Sequence, residues 1–158
     1  MKTTAEKYLD LNVVNIYDKD EKILSYTRKI ESQLIEEAKK GFPYEIAGFL
    51  LGKIGEEDKV TELLPVENIA KHQERRFEID SLDYIKAETY ALARNLDVVG
   101  IYHSHPDYPA IPSKHDLKFA QEVFSYLIIS IDATGISLIN SWKKEQGKFI
   151  QQEIKIKQ

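Results

Sequence analysis

The spacing of apolar positions changes several times along the chain, and each change marks an expected element. From Thr27 to Lys40, Ile30, Leu34, Ile35 and Ala38 recur at helical spacing, with Gly41 and Pro43 just beyond. This predicts an amphipathic helix packed on a sheet. Ile46-Ala-Gly-Phe-Leu-Leu51 is a continuous apolar run that suits a buried strand, with Gly48 and Gly52 where backbone must bend or come close to a neighbour. Lys59 to Pro65 predicts another strand, and Arg75 to Ile79 a short one after the loop Glu67 to Glu74. Leu82, Ile85, Thr89 and Leu92 give the inner face of a helix capped by Ser81 and running to Arg94, with Tyr84 and Tyr90 off that stripe. Asp97 to Tyr102 is an apolar, β-branched run of strand length, and Lys114 to Tyr126 reads as a helix. Leu127–Ile131, Gly135–Trp142 and Phe149–Ile154 read as three further strands, with Gly135 and Gly147 at the turns.

At the start, Leu11 to Tyr17 and Lys22 to Leu24 flank an Asp18-Lys-Asp-Glu21 turn, so residues 1–26 are expected as an extension with an extra hairpin or edge strand. Residues 27–158 are expected as a single domain. Helices and strands interleave and the last strands are joined by tight turns, which predicts an α/β (mixed α+β) fold with a mixed sheet.

The chain has 158 residues, long enough to bury about 68 to 70% of the unfolded surface as one domain. A net charge of -4 gives no reason to expect nucleic acid. No cysteine is present, which excludes disulfides, thiol catalysis and Cys-based zinc knuckles. Met1 to Asp10 has no signal-like apolar core and no later run nears the roughly 20 apolar residues of a membrane span. The expectation is a cytoplasmic protein with no membrane partner; oligomeric state is not legible.

Candidate chemistry gathers after the Asp97–Tyr102 run, in His103-Ser-His105-Pro106. Side chains two apart on a strand share a face, so both imidazoles can reach one ion. Asp116 follows eleven residues after His105, past a Pro-rich turn and at a helix start. Two histidines and one carboxylate form a catalytic zinc set with a position left for water, although iron or manganese would also suit such donors. Ser113-x-x-Asp116 also fits a helix cap, which would explain that pair without a metal. Glu45, at the edge of a buried run, is either solvated or held for chemistry. His72 lies in a polar loop and reads as exposed, and His115, pointing about 100° from Asp116 on a helix, as a surface or neighbouring residue.

His103-Ser-His105-Pro, six residues, then Ser113-x-x-Asp116 resembles the zinc motif of the JAMM (MPN-plus) metallopeptidases. Pro43-Tyr-Glu45-Ile-Ala47-Gly48-Phe-Leu50-Leu-Gly52 resembles that family's upstream glutamate stretch, with Ala47 where many relatives carry Cys. The resemblance implies a curved, partly barrel-like sheet flanked by helices, the cytidine deaminase-like JAMM/MPN fold. It implies one Zn2+ per chain on His103, His105 and Asp116, Glu45 as general base for the water at the zinc, and Ser113 as donor to the oxyanion. It further implies an (iso)peptidase, deubiquitinase-like, acting after the C-terminal Gly-Gly tail of a ubiquitin-like or sulfur-carrier protein. Asn68 and Arg76-Phe77 also resemble family positions, with no catalytic role assigned. The short Lys53–Lys59 stretch and the absence of a loop between Asp116 and Leu127 favour the minimal prokaryotic type. Two other classes stand beside this one: a non-catalytic MPN-type scaffold, and a hydrolase of a small amide conjugate. A barrel amidohydrolase using His-x-His would need about 250 residues.

Overall fold

One residue, Glu153, separates strands Lys148–Gln152 (β8) and Ile154–Lys157 (β9), yet they lie near opposite ends of the sheet, nine-stranded among the described residues. The computed structural model describes residues 13–14, 23–135 and 137–158. Among these, the other elements are β1 (Val13–Val14), β2 (Ile23–Thr27), α1 (Arg28–Gly41), β3 (Ala47–Lys53), β4 (Glu57–Val66), α2 (Ser81–Ala93), β5 (Asp97–Pro106), α3 (Lys114–Phe119), β6 (Ser125–Ile131) and β7 (Ser137–Glu145). The strand order is β1-β8-β7-β6-β5-β3-β4-β2-β9. Consecutive residues cannot span an open sheet of this width, so the sheet curls until its two ends approach each other, and it forms a nearly closed, barrel-like wall. Parallel pairs β5/β6 and β2/β4 sit among antiparallel ones, as expected of a mixed fold.

Thr27 caps α1 by accepting the Ile30 N–H, and Ile30, Leu34 and Ala38 bury against Leu24, Leu50, Tyr102 and Leu127 on one side of the sheet. The other side packs Phe49, Ile101, Ile128 and Trp142 against Ala87 and Ala91 of α2. A Cβ on Gly48 would stand 2.3 Å from the Tyr102 ring, and one on Gly52 1.7 Å from the Lys59 carbonyl oxygen, so both glycines mark close approach.

Five expectations are corrected. The inner face of α2 is Tyr84, Ala87 and Ala91, while Leu82, Ile85 and Leu92 face outward, because the small alanines let the helix lie close to the sheet. Its cap is Asp80, which accepts the Leu82 N–H, rather than Ser81. Arg75 to Ile79 is not a strand, since its carbonyl and amide groups at Arg76 and Glu78 bond to the Asn68 side chain. The helix after the motif stops at Phe119 because Phe124 and Tyr126 are drawn into the core. The final strand breaks at Glu153, whose carbonyl accepts the Leu24 N–H.

The turn of the expected N-terminal hairpin, Asp18 to Glu21, lies outside the described residues. Of its flanking runs, the described residues pair elsewhere in the sheet: Val13 and Val14 (β1) pair with β8, and β2 runs between β4 and β9 with Leu24 and Tyr26 buried.

Candidate metal centre

β5 lies between β3 and β6, so His103 and His105, on one face of an interior strand, are almost wholly buried. Their Nε2 atoms are 3.0 Å apart. β3 runs antiparallel to β5 with Ala47 opposite His103, and the pairing continues past the end of β3: Ile46 N–H donates to Ser104 Oγ at 2.9 Å and Ser104 N–H to the Ile46 carbonyl at 3.1 Å. This register carries Glu45 to the imidazoles. Glu45, His103 and His105, all buried, each offer a ligand atom within 4.8 Å of the others.

Asp116 arrives from the opposite direction. The Asp107 to Pro112 turn leaves β5 with Asp107 in the left-handed region, which Asp tolerates better than most residues. It is tied down where the Asn140 and Trp142 side chains both donate to the Ala110 carbonyl. Ser113 then caps α3 reciprocally: its Oγ accepts the Asp116 N–H at 3.2 Å, and its own N–H donates to Asp116 Oδ2 at 2.7 Å. That places Oδ2 3.5 Å from His103 Nε2 and 3.4 Å from His105 Nε2.

The triangle of 3.0, 3.4 and 3.5 Å is the size that a small tetrahedral ion requires. Bonds of about 2.0 to 2.1 Å give donor–donor edges of about 3.3 to 3.4 Å. Glu45 also approaches the imidazoles, so two carboxylates, Glu45 and Asp116, face the two histidines.

Protonation states agree with this. His105 Nδ1 lies 2.8 Å from the Pro109 carbonyl, which can only accept, so Nδ1 is the donor of that bond and the ring is held with Nε2 toward the centre. Burial pushes the His103 imidazole down, favouring the neutral ring. Burial would raise Asp116, but the imidazoles facing it more than reverse that and hold the carboxyl well below its usual range. Imidazole ligands bind metal in the neutral form and carboxylate ligands in the ionised form. The Phe77 ring stacks on His103, with centroids 4.3 Å apart.

Glu45, His103, His105 and Asp116 therefore come together, with Ser113 adjoining through its cap. His115 turns its ring toward Phe119, and His72 is exposed. Ser104 and the Pro109 carbonyl were not legible as parts of the site: strand alternation puts Ser104 on the other face from the histidines, and a backbone carbonyl leaves no mark in sequence. His103, Asp116, Phe77, Tyr84 and Phe119 line a cavity of about 310 Å³ beside the centre.

Residues 27–144 match the family described as prokaryotic homologs of the JAB domain. The chain belongs to this family. As a prokaryotic JAB-domain protein it is 40% identical over 74 residues to a desampylase of Pyrococcus furiosus. It is 31% identical over 81 residues to a probable TtuB-protein conjugate cleaving protease of Thermus thermophilus. These matches take in 47% and 51% of this chain and 50% and 55% of the two relatives, so the chain spans about half their length. A Haloferax volcanii desampylase is 32% identical over 114 residues, 69% of this chain and 81% of that protein. Among solved structures, a Desulfitobacterium hafniense protein superposes with a TM-score of 0.77 at 26% identity, over 85% of this chain and 93% of that one. A JAB1/MPN domain protein of Archaeoglobus fulgidus shares the fold, with a TM-score of 0.52 at 19% identity over 84% and 97% of the two chains.

Proposed function

We propose that this JAB-domain chain is a zinc-dependent isopeptidase that hydrolyses the amide bond after the C-terminal Gly-Gly tail of a ubiquitin-like or sulfur-carrier protein, with residues 27–158 as its catalytic domain. The observation that carries this reading is the buried triangle of His103 Nε2, His105 Nε2 and Asp116 Oδ2 with Glu45 beside it. The names of the relatives support the substrate class. His103, His105 and Asp116 would hold the metal. Zinc there would supply a water acidified toward a pKa of about 7 and a polarised carbonyl. Glu45 accepts the proton of the attacking water and returns it to the leaving amine nitrogen. Ser113, whose oxygen accepts the Asp116 N–H, donates its hydroxyl proton to the carbonyl oxygen as negative charge develops there. No side chain is needed to recognise a Gly-Gly tail, which an edge of backbone can hold as an added strand.

The aromatic cavity of about 310 Å³ beside the centre supports one second reading, because that volume is at the lower end of small-molecule sites: hydrolysis of a small amide conjugate. One experiment separates the readings. Metal content of the purified protein and of Asp116→Ala is measured by mass spectrometry, beside cleavage of a ubiquitin-like protein carrying a C-terminal Gly-Gly-amide extension. The expected result is one zinc, lost in Asp116→Ala, with cleavage that Glu45→Gln lowers by about 10² to 10⁴ while keeping the zinc. Zinc without cleavage of the protein substrate turns the case to small amides. No zinc in the wild type refutes both.

A further inference from the structure

We infer that Asn68 is a positioning residue that sets the general base against the metal ligands; this rests on the role proposed for Glu45. Its side-chain amide is buried and makes four hydrogen bonds. Nδ2 donates to the Glu45 carbonyl at 2.9 Å and to the Arg76 carbonyl at 3.1 Å, while Oδ1 accepts the Ala70 and Glu78 N–H groups, each at 3.0 Å. Both donor hydrogens and both acceptor lone pairs are thereby used.

What these bonds hold is specific. Arg76 and Glu78 flank Phe77, so Asn68 fixes the peptide on each side of the ring that stacks on His103. The same amide grips the Glu45 carbonyl, and the Glu45 N–H donates to the Gln73 carbonyl of the same loop at 2.7 Å. The Gln73 side chain closes the loop by donating to the Asn68 carbonyl at 2.9 Å. Residues 67–80 contain no helix or strand, so the partners of Asn68 are this loop and the base, not the core. Glu45 is therefore set from two sides: by the sheet register through Ile46 and Ser104, and by the loop through Asn68. Removing the second leaves the sheet and the ligand triangle in place but lets the Glu45 peptide shift. A displacement of about 1 Å at a reacting group costs about 10²-fold in rate.

Asn68→Asp and Asn68→Ala test this in the full chain. Asp keeps the acceptor for Ala70 and Glu78 but loses both donors; Ala loses all four bonds. In metal-free protein, amide hydrogen exchange at Glu45 should quicken by about tenfold in both variants, while Leu50 in β3 is unchanged. Exchange at Glu78 should quicken in Asn68→Ala only. With saturating zinc, cleavage of the Gly-Gly-amide substrate should lose about 10²-fold in kcat in both variants, with KM and zinc affinity within about threefold of wild type. Unchanged exchange at Glu45, or wild-type kcat in Asn68→Asp, overturns the inference, as does Leu50 quickening together with Glu45, which would make Asn68 a general stability residue. A wild-type protein that cleaves nothing refutes the proposed function instead, and the exchange arm still decides whether Asn68 fixes Glu45.

Discussion

Ser113 carries two tasks in this reading, and one pair of substitutions separates them. Its Oγ accepts the Asp116 N–H at 3.2 Å, and its own N–H donates to Asp116 Oδ2 at 2.7 Å. The second bond comes from backbone, so it survives a change of side chain and Asp116 keeps the contact that aims Oδ2 at the imidazoles. Losing the hydroxyl removes the cap acceptor, which costs about 1 kcal/mol for Ser113→Ala but only a few tenths for Ser113→Gly. It also removes the proposed oxyanion donor, worth about 2.7 to 4 kcal/mol, or about 10² to 10³ in kcat. The rate term therefore exceeds the stability term, and the two rank the variants differently. Both should lose about 10² to 10³ in kcat on the Gly-Gly-amide substrate at saturating zinc, equally within error. Ser113→Ala should unfold about 2 to 4 °C below wild type, and Ser113→Gly much nearer to it. Zinc affinity from chelator competition should hold in both. A rate loss that follows the unfolding temperature, or a fall in zinc affinity parallel to the rate, would show that the hydroxyl acts through the helix cap and Asp116, and not on the substrate.

In the metal-free protein, burial holds His103 neutral against the pull of Asp116, so its folded pKa lies below the unfolded one. The unfolded chain then takes up the proton first, and stability is lost as pH falls below about 6.5. Urea unfolding of chelator-treated protein across that range should show a falling midpoint on acidification, and a rising one would contradict the burial argument. Gly48→Ala places a Cβ 2.3 Å from the fully buried Tyr102 ring, whose hydroxyl donates to Glu37 at 2.9 Å. It should cost about 1 to 3 kcal/mol in the same assay; a neutral result would mean that the ring has room to move.

Parts of the site that depend on local chain geometry were legible. Strand alternation alone puts His103 and His105 on one face, and the Ser113-x-x-Asp116 cap is formed by residues three apart. Glu45 was different, since its meeting with the imidazoles depends on the β3/β5 register across 58 residues, and only the likeness to a family motif suggested it. The face of α2 was misread because Leu82, Ile85 and Leu92 outweigh Ala87 and Ala91 in hydrophobicity, while helix–sheet distance selects the smaller side chains. The break at Glu153 leaves no mark in an alternating pattern, because it follows from closure of the whole sheet. Asn68 was visible as a residue, but its four partners lie in a loop whose path no periodicity describes.

These origins give the parts of the centre unequal resistance to local opening. The histidines sit on a strand with ladders on both sides, and opening them requires breaking the middle of the sheet. Asp116 sits on a short helix, but the turn before it is bonded to Asn140 and Trp142, and Lys144 donates to the Leu117 and Ala120 carbonyls at its end. Glu45 is set by the sheet register on one side and, on the other, by a loop without regular structure whose hydrogen bonds centre on the Asn68 amide. Loops without regular backbone pairing open at a lower free energy than strands in the middle of a sheet, so the setting of the base should loosen before the ligand triangle does. On stepwise heating of the zinc-loaded protein, cleavage should therefore fall reversibly at temperatures where the metal is still retained. Release of zinc in step with the loss of rate would mean that base and ligands open as one unit and that the loop is no weaker than the sheet.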